Sequence, residues 1–299
     1  MSDQLRAYAL LTVVSSCWAL NTILAKLAVG EISPMSLTSL RWLLALGLLC
    51  AFAFPSLRRD WPVLRRHIGL LLCLGAVGFA TFNSLLYMSA HYTSALNIAI
   101  LQGAIPVFVL LGIAATPGGK LAPMQMLGVA VTLAGVIAVA TQGDPRALAT
   151  MSLNLGDMLI LGACMIYAAY TLWLRNRPAV SPLSQFAVMA AGAWIASWVL
   201  LGVELRVSAV MPPTSVGWLI ALVTAVFPSL LAQVWFIRGV ELLGPARAGI
   251  FVNLVPVLAA LLAVVVLGES FGVHHALGLA LVLGGITLSE RSGTTVGGD

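Results

Sequence analysis

Ten long, continuously apolar runs divide this chain: Ala7–Val29, Pro34–Phe54, Ile68–Ala90, Thr93–Ala115, Met124–Ala140, Leu155–Trp173, Pro182–Val203, Ser215–Ile237, Arg247–Leu267 and Val273–Ser289. Each is close to the ~20 apolar residues that cross a bilayer core as a helix. A membrane-barrel strand would show about ten residues with alternate polar positions, and no run here alternates. The sequence predicts an all-α integral membrane protein of ten transmembrane helices. Composition removes the other classes. Apolar residues make up 61% of the 299 and charged residues only 8%, against about 25% charged in soluble domains. A soluble globular domain, a nucleic-acid module and a disordered chain are excluded, and the expected surroundings are a lipid bilayer.

The links are short, among them Gly30–Ser33, His91–Tyr92 and Gly268–Gly272. Such links allow only antiparallel helical hairpins and leave no room for a separate catalytic domain. The first run continues past Cys17 to Val29, long enough to span, so no cleavable signal is expected. Cys17, Cys50, Cys73 and Cys164 sit inside apolar runs with no C-x-x-C pair. That argues against a disulfide framework or a zinc site, and neither metal nor other cofactor is expected.

Charge sets the expected orientation. With the N-terminus in the cytoplasm, eleven of the fifteen Lys and Arg face that side, Arg58, Arg59, Arg65, Arg66, Arg175 and Arg177 among them. Only Arg146 and Arg206 then face outward. An even number of spans returns the C-terminus to the cytoplasm. The location expected is a bacterial inner (plasma) membrane, crossed many times.

The chain also repeats itself at a shift close to 150 residues. Pro106-Val107 matches Pro256-Val257, Gly128 matches Gly278, and Gly135 matches Gly285. Trp18-Ala19-Leu20-Asn21-Thr22 resembles Tyr167-Ala168-Ala169-Tyr170-Thr171, and Ser33-Pro34 resembles Ser181-Pro182. Two halves follow, residues 1–148 and 149–299, of five spans each. Five is odd, so the second half enters the membrane inverted. Such repeats place equivalent half-sites near the bilayer midplane, where transport sites lie.

The candidate residues are the polar and aromatic side chains within spans, where ionisable and amide groups are costly. Asn83 and Gln233 are equivalent in the repeat and suit the two ends of a zwitterion. Gln102 and Asn253 precede the repeated prolines, facing either a freed carbonyl or substrate. Trp18, Tyr87, Tyr167, Tyr170 and Trp235 suit a cavity wall that stacks on an aromatic substrate. Trp42, Trp61 and Trp218 read as interfacial. Arg41, about 10 Å deep by helical rise, suits a substrate carboxylate, with snorkelling, capping of carbonyls or pairing to Glu31 as the alternatives. Helix-to-helix bonding and plain packing remain open for each of the others. Gly78, Pro106, Pro228 and Pro256 are candidate hinges, with static kinks as the alternative.

Enzyme signatures are missing. Gly119-Lys120-Leu121 lacks the rest of a phosphate-binding loop, His274 and His275 are adjacent, and no span carries a pair of carboxylates. Asp157, Glu241 and Glu269 fall at or beyond span ends. With no acid well inside a span, movement driven by the substrate's own gradient is expected, or coupling too weak to need a buried carboxylate.

Three groups of residues carry a family likeness: Cys17-Trp18-Ala19-Leu20-Asn21 with Lys26, Ser33-Pro34 with Arg41, and Pro256-Val257 followed by Leu267-Gly268-Glu269. In these, over nearly its whole length, the chain resembles the drug/metabolite transporter superfamily in its EamA-type exporter branch. It is most similar to the YddG-type aromatic amino acid exporters, in length and in the run Asn97–Gln102. The first half departs, with Pro117-Gly118-Gly119 where Leu-Gly-Glu would stand. The resemblance implies a 5+5 inverted repeat around a central cavity, with spans five and ten peripheral. It implies a secondary transporter that exports small amphipathic metabolites by alternating access. Asn21 joins the candidates on this likeness. Aromatic or hydrophobic amino acids are the first substrate expected. Other metabolites or drugs (nucleosides, sugars, cationic compounds) are the alternative, and a membrane-embedded enzyme a remote one. A single chain is expected to suffice.

Overall fold

The computed structural model describes residues 3–117, 119–144, 154–207 and 209–293. Ten helices in it are long and apolar enough to cross a membrane. They are α1 (Gln4–Leu27), α2 (Pro34–Leu64), α3 (Ile68–Ser89), α4 (Ala95–Ala114), α5 (Pro123–Ala140), α6 (Leu155–Asn176), α7 (Pro182–Val207), α8 (Ser215–Leu243), α9 (Arg247–Leu267) and α10 (Val273–Glu290). Hairpin connectivity puts the start of α1 and the end of α10 on one face, the terminal face, and the α1–α2, α3–α4 and α9–α10 corners on the far face. The boundary expected between residues 148 and 149 lies outside the described residues.

α2 runs ten residues beyond the predicted Phe54, through Pro55 and Pro62, so Arg58 and Arg59 are helical and exposed. Asp60, near its end, accepts from the Ser181 N–H (3.1 Å) and the Ser184 hydroxyl (2.8 Å) at the start of α7. That cap satisfies donors a helix start leaves open and ties the two halves together.

The repeat is written in backbone irregularities. α3 and α8 each contain a π-helical stretch, Ala76–Thr81 and Ala225–Leu231. In each a hydroxyl donates to the carbonyl five residues back: Thr81 to Ala76 (3.0 Å) and Ser229 to Thr224 (2.7 Å). α4 tightens into a 3₁₀ turn at Gln102–Ala104, just before Pro106. α9 breaks at Asn253, between Pro245–Val252 and Leu254–Leu267. Gly78 and Pro228 lie in the π stretches, and Pro106 and Pro256 follow the breaks. The four irregularities pair across the halves, as proline and local widening of the helix require.

α5 and α10 pack along a seam of four glycines. A Cβ on Gly135 would lie 2.8 Å from the Gly278 carbonyl oxygen, and one on Gly285 would lie 2.5 Å from that of Gly128. The repeat interchanges these two contacts, so its pseudo-two-fold axis passes between the helices. Small residues at such a seam let two backbones meet.

The far half holds the larger apolar core, with Ile23, Leu24 and Ala28 of α1 and residues Ala95–Leu101 of α4 all buried. At the terminal face Leu5, Tyr8 and Val13 of α1 and Ile250, Val252 and Leu254 of α9 are exposed. α1 and α9 also meet toward the terminal face, where Tyr8 packs on Phe251 at 5.6 Å and the Ser15 hydroxyl donates to the Phe251 carbonyl (2.7 Å).

Candidate functional site

Arg41, the eighth residue of α2, is 4% exposed. Its Nη1 donates to Asn21 Oδ1 (2.8 Å), Asn83 Oδ1 (2.6 Å) and the Tyr87 hydroxyl (2.5 Å), while its Nε donates to Ser229 Oγ (2.5 Å). The Tyr87 hydroxyl passes its own proton to Asn21 Oδ1 (3.0 Å), and Asn83 Nδ2 donates to the Phe79 carbonyl (2.7 Å). Four side chains from α1, α3 and α8 thus converge on one guanidinium of α2.

All its partners are neutral. Among the described residues no carboxylate lies within 4.0 Å of Arg41, and none accepts from Nη2. The snorkelling and Glu31 alternatives fail here. Glu31 accepts instead from the Thr214 hydroxyl, and Arg41 is turned inward. A buried guanidinium without a counter-ion is costly unless something anionic completes it.

Aromatic rings extend from this group. Trp42, expected at an interface, is 2% exposed and stacks on Phe79 at 5.0 Å and 9°. Its indole N–H is buried with no acceptor. Phe79 meets Tyr170 (5.6 Å), Tyr170 meets Tyr167 (5.2 Å), and Tyr167 meets Phe82 (5.0 Å). The repeat explains the division of labour. Tyr167 and Tyr170 occupy the places that Trp18 and Asn21 hold in the first half, and Met189 stands where Arg41 does. The first half supplies the cation and most of its polar partners, with Ser229 added from the second, while the ring row joins Trp42, Phe79 and Phe82 of the first half to Tyr167 and Tyr170 of the second.

The remaining candidates lie elsewhere. Gln102 donates to Thr22 Oγ1 (3.1 Å) and to the Ile98 carbonyl (3.2 Å), so it bonds α4 to α1. Gln233, the repeat partner of Asn83, is half-buried and is not brought into the Arg41 group. Asn253 is tied to Glu290 (2.8 Å) toward the terminal face. Trp18 packs on Phe236 at 5.3 Å, and Trp235 lines a cleft of about 480 Å³ between α1 and α8 with Arg6 and Arg238 at its rim. Sequence reasoning missed Ser229, hidden beside a proline read only as a hinge, and Trp42, read from its nearness to a span end.

A second polar group closes the far face. Asp157, the third residue of α6, is 1% exposed. It lies at the span end, as the sequence predicts, and the α3–α4 corner covers it. It accepts from the Thr93 hydroxyl (2.6 Å) and from Asn97 Nδ2 (3.3 Å to each oxygen). Lys26 donates to the Ala90 and Thr93 carbonyls (2.9 and 2.8 Å). Gly268 ends α9 at φ +67°, and the turn carries Glu269 to the start of α4, where its two oxygens accept from the Ala95 and Leu96 N–H groups (both 2.8 Å). The Leu-Gly-Glu turn is a helix cap delivered across the bundle. Its first-half counterpart, Gly119, has no side chain to do the same.

A family model for the EamA-like transporter family matches residues 5–141 and again residues 154–290. The chain belongs to the EamA-like transporter family. The duplicate match covers both halves, so the internal repeat is a duplication of the family unit. Relatives carry transporter names: the uncharacterized transporter YyaM of Bacillus subtilis (strain 168) is 29% identical over 88% of this chain and 86% of its own length. A "Probable amino-acid metabolite efflux pump" of Escherichia coli (strain K12) is 28% identical over 66% of this chain and 61% of its own. A solved crystal structure of a protein 19% identical shares the fold at a TM-score of 0.63, over 95% of this chain and 96% of that one. This transporter is thus a multi-pass membrane protein of ten apolar helices.

Proposed function

We propose that this transporter exports small amphipathic metabolites that carry a carboxylate and an aromatic or hydrophobic body, with aromatic and hydrophobic amino acids foremost. The observation that carries the reading is Arg41: a buried guanidinium with only neutral partners and a free Nη2. A substrate carboxylate supplies the missing charge through charge-assisted hydrogen bonds, and Trp42, Phe79, Tyr167 and Tyr170 offer rings for the substrate body. The name of the Escherichia coli relative agrees with amino-acid-derived cargo. Cationic compounds fit poorly beside Arg41.

Movement follows alternating access. Gly78 and Pro228 in the π stretches, and Pro106 and Pro256 after the breaks, are the hinges. The excess of Arg and Lys at the terminal face supports a cytoplasmic placing of that face, so substrate enters there and leaves at the far face. The experiment is counterflow in proteoliposomes with a panel of amino acids and nucleosides. Exchange of labelled aromatic amino acids is expected. Exchange of nucleosides with no amino acid moved would overturn the substrate reading.

A further inference from the structure

The far-face seal contains a hydrogen-bonded chain whose direction is fixed at one end by the backbone. The Gly272 N–H donates to His275 Nδ1 (3.0 Å). A backbone N–H can only donate, so Nδ1 carries no proton and Nε2 carries it. His275 Nε2 therefore donates to Asn97 Oδ1 (3.1 Å). That turns Asn97 Nδ2 toward Asp157 and the Thr93 hydroxyl (3.2 Å), and the chain ends on a carboxylate that only accepts. The sequence Gly272, His275, Asn97, Asp157 is complete in one protonation state: imidazole neutral and carboxylate ionised.

We propose that this chain is a proton-binding site that holds the far face shut, and that a proton taken up at either end releases it. A proton on Asp157 leaves one donor over: the carboxyl O–H can turn to Thr93 Oγ1 (2.6 Å), but the Thr93 hydroxyl then loses the acceptor it had, and Asn97 Oδ1 is committed to His275. Reversing the Asn97 amide would require His275 Nε2 to accept, and its Nδ1–H would then face the Gly272 N–H. A proton on His275 makes the same donor-to-donor contact directly. A buried donor left unmade costs about 1–3 kcal/mol, enough to shift a balance between two states about tenfold or more. The bonds at stake join the α9–α10 corner, α4 and α6.

The groups around the chain do not neutralise it. Lys26 of α1 spends its ammonium on the Ala90 and Thr93 carbonyls, and Glu269 caps α4. The His274 ring lies 4.0 Å from that of His275. His91 and Tyr92 of the α3–α4 corner line the same cleft of about 560 Å³. Burial, and then the Lys26 charge, hold His91 below the usual imidazole range. The other half supplies a control of its own. At the position equivalent to His275, Gln125 caps the Ala122 N–H (2.9 Å) just as His275 caps Gly272. The capping task needs no titratable group; the far-face copy has one, and alone of the two reaches on to a carboxylate.

The test is a distance between spin labels at Tyr92→Cys and Ser270→Cys, on the α3–α4 and α9–α10 corners, with the native cysteines replaced by serine and the protein in nanodiscs. Acidification from pH about 8 to about 4 should add a longer-distance population reversibly. Asp157→Asn, which places a fixed donor where the protonated carboxyl would have one, should show that population at both pH values. His275→Gln can keep both bonds of the cap but cannot titrate, and should move the transition to lower pH. A distance that ignores pH in the unmodified site would overturn the proposal, as would the same transition in both variants. Should Asp157→Asn fail to fold, the His275→Gln shift decides alone.

Discussion

Arg41 Nε and Ser229 Oγ meet at 2.5 Å across 188 positions of sequence. The bond ties the cation of the first half to the π-helical stretch of α8, one residue past Pro228. Ser229 itself donates to the Thr224 carbonyl, so the carbonyl that the widened helix leaves open and the Arg41 guanidinium share one hydroxyl. On the proposed function, binding at Arg41 would act directly on the proposed Pro228 hinge. Ser229→Ala should leave Arg41 freer and weaken the dependence of flux on substrate occupancy. Flux and binding measured together in liposomes should show flux falling more than affinity. Equal falls would mean that Ser229 only shapes the pocket.

Pro228→Ala and Pro256→Ala should slow flux more than they weaken binding, because they change the bend and not the contact surface. Gly78→Ala is more severe: its Cβ would fall 2.3 Å from the Tyr170 ring. Loss of transport is expected, with partial recovery when Tyr170→Ala is added to make room. Counterflow rates of the single and double variants check this.

The α5–α10 seam predicts a stability effect with little effect on substrate choice. Gly135→Val should force the helices apart, at a cost of about 1–3 kcal/mol typical of overpacking. The melting temperature in detergent should fall, while the ranking of substrates in any surviving protein stays the same.

Glu269→Gln should loosen the far face alone. It keeps one carbonyl oxygen for the α4 start but turns an amide NH₂ toward the second N–H, and it removes a negative charge from a helix N-terminus. Amide exchange at Ala95 and Leu96 should quicken by about tenfold, the equivalent of ~1.4 kcal/mol. Exchange in α5 should not change.

Much of this architecture is legible in the sequence because lipid permits so little else. Backbone groups in a bilayer must be satisfied within the helix, so the ten apolar runs translate directly into α1–α10, and Pro106, Pro256, Gly128 and Gly278 mark the duplication without a structure. Arg41, Asn83 and Tyr87 are individually visible as polar groups in apolar runs, and Asn21 through the family likeness. Their convergence is not, because it depends on how four helices turn toward one another. Gln233 shows the limit of symmetry: the repeat equates it with Asn83, yet Met189 in the place of Arg41 leaves it no cation to join. Asp157 shows the limit of position. Near a helix end it reads as solvent-facing until the α3–α4 corner folds over it.

The central claim is that Arg41 receives a substrate carboxylate. The most direct measurement compares counterflow of an aromatic amino acid with that of its amide, identical but for the lost negative charge, in wild-type and Arg41→Gln proteoliposomes. The account predicts that wild type exchanges the acid at least about tenfold better than the amide, as a charge-assisted bond of ~1.5–3 kcal/mol requires, and that Arg41→Gln loses this preference. Equal exchange of acid and amide by the wild type, or a preference that survives in Arg41→Gln, would contradict it.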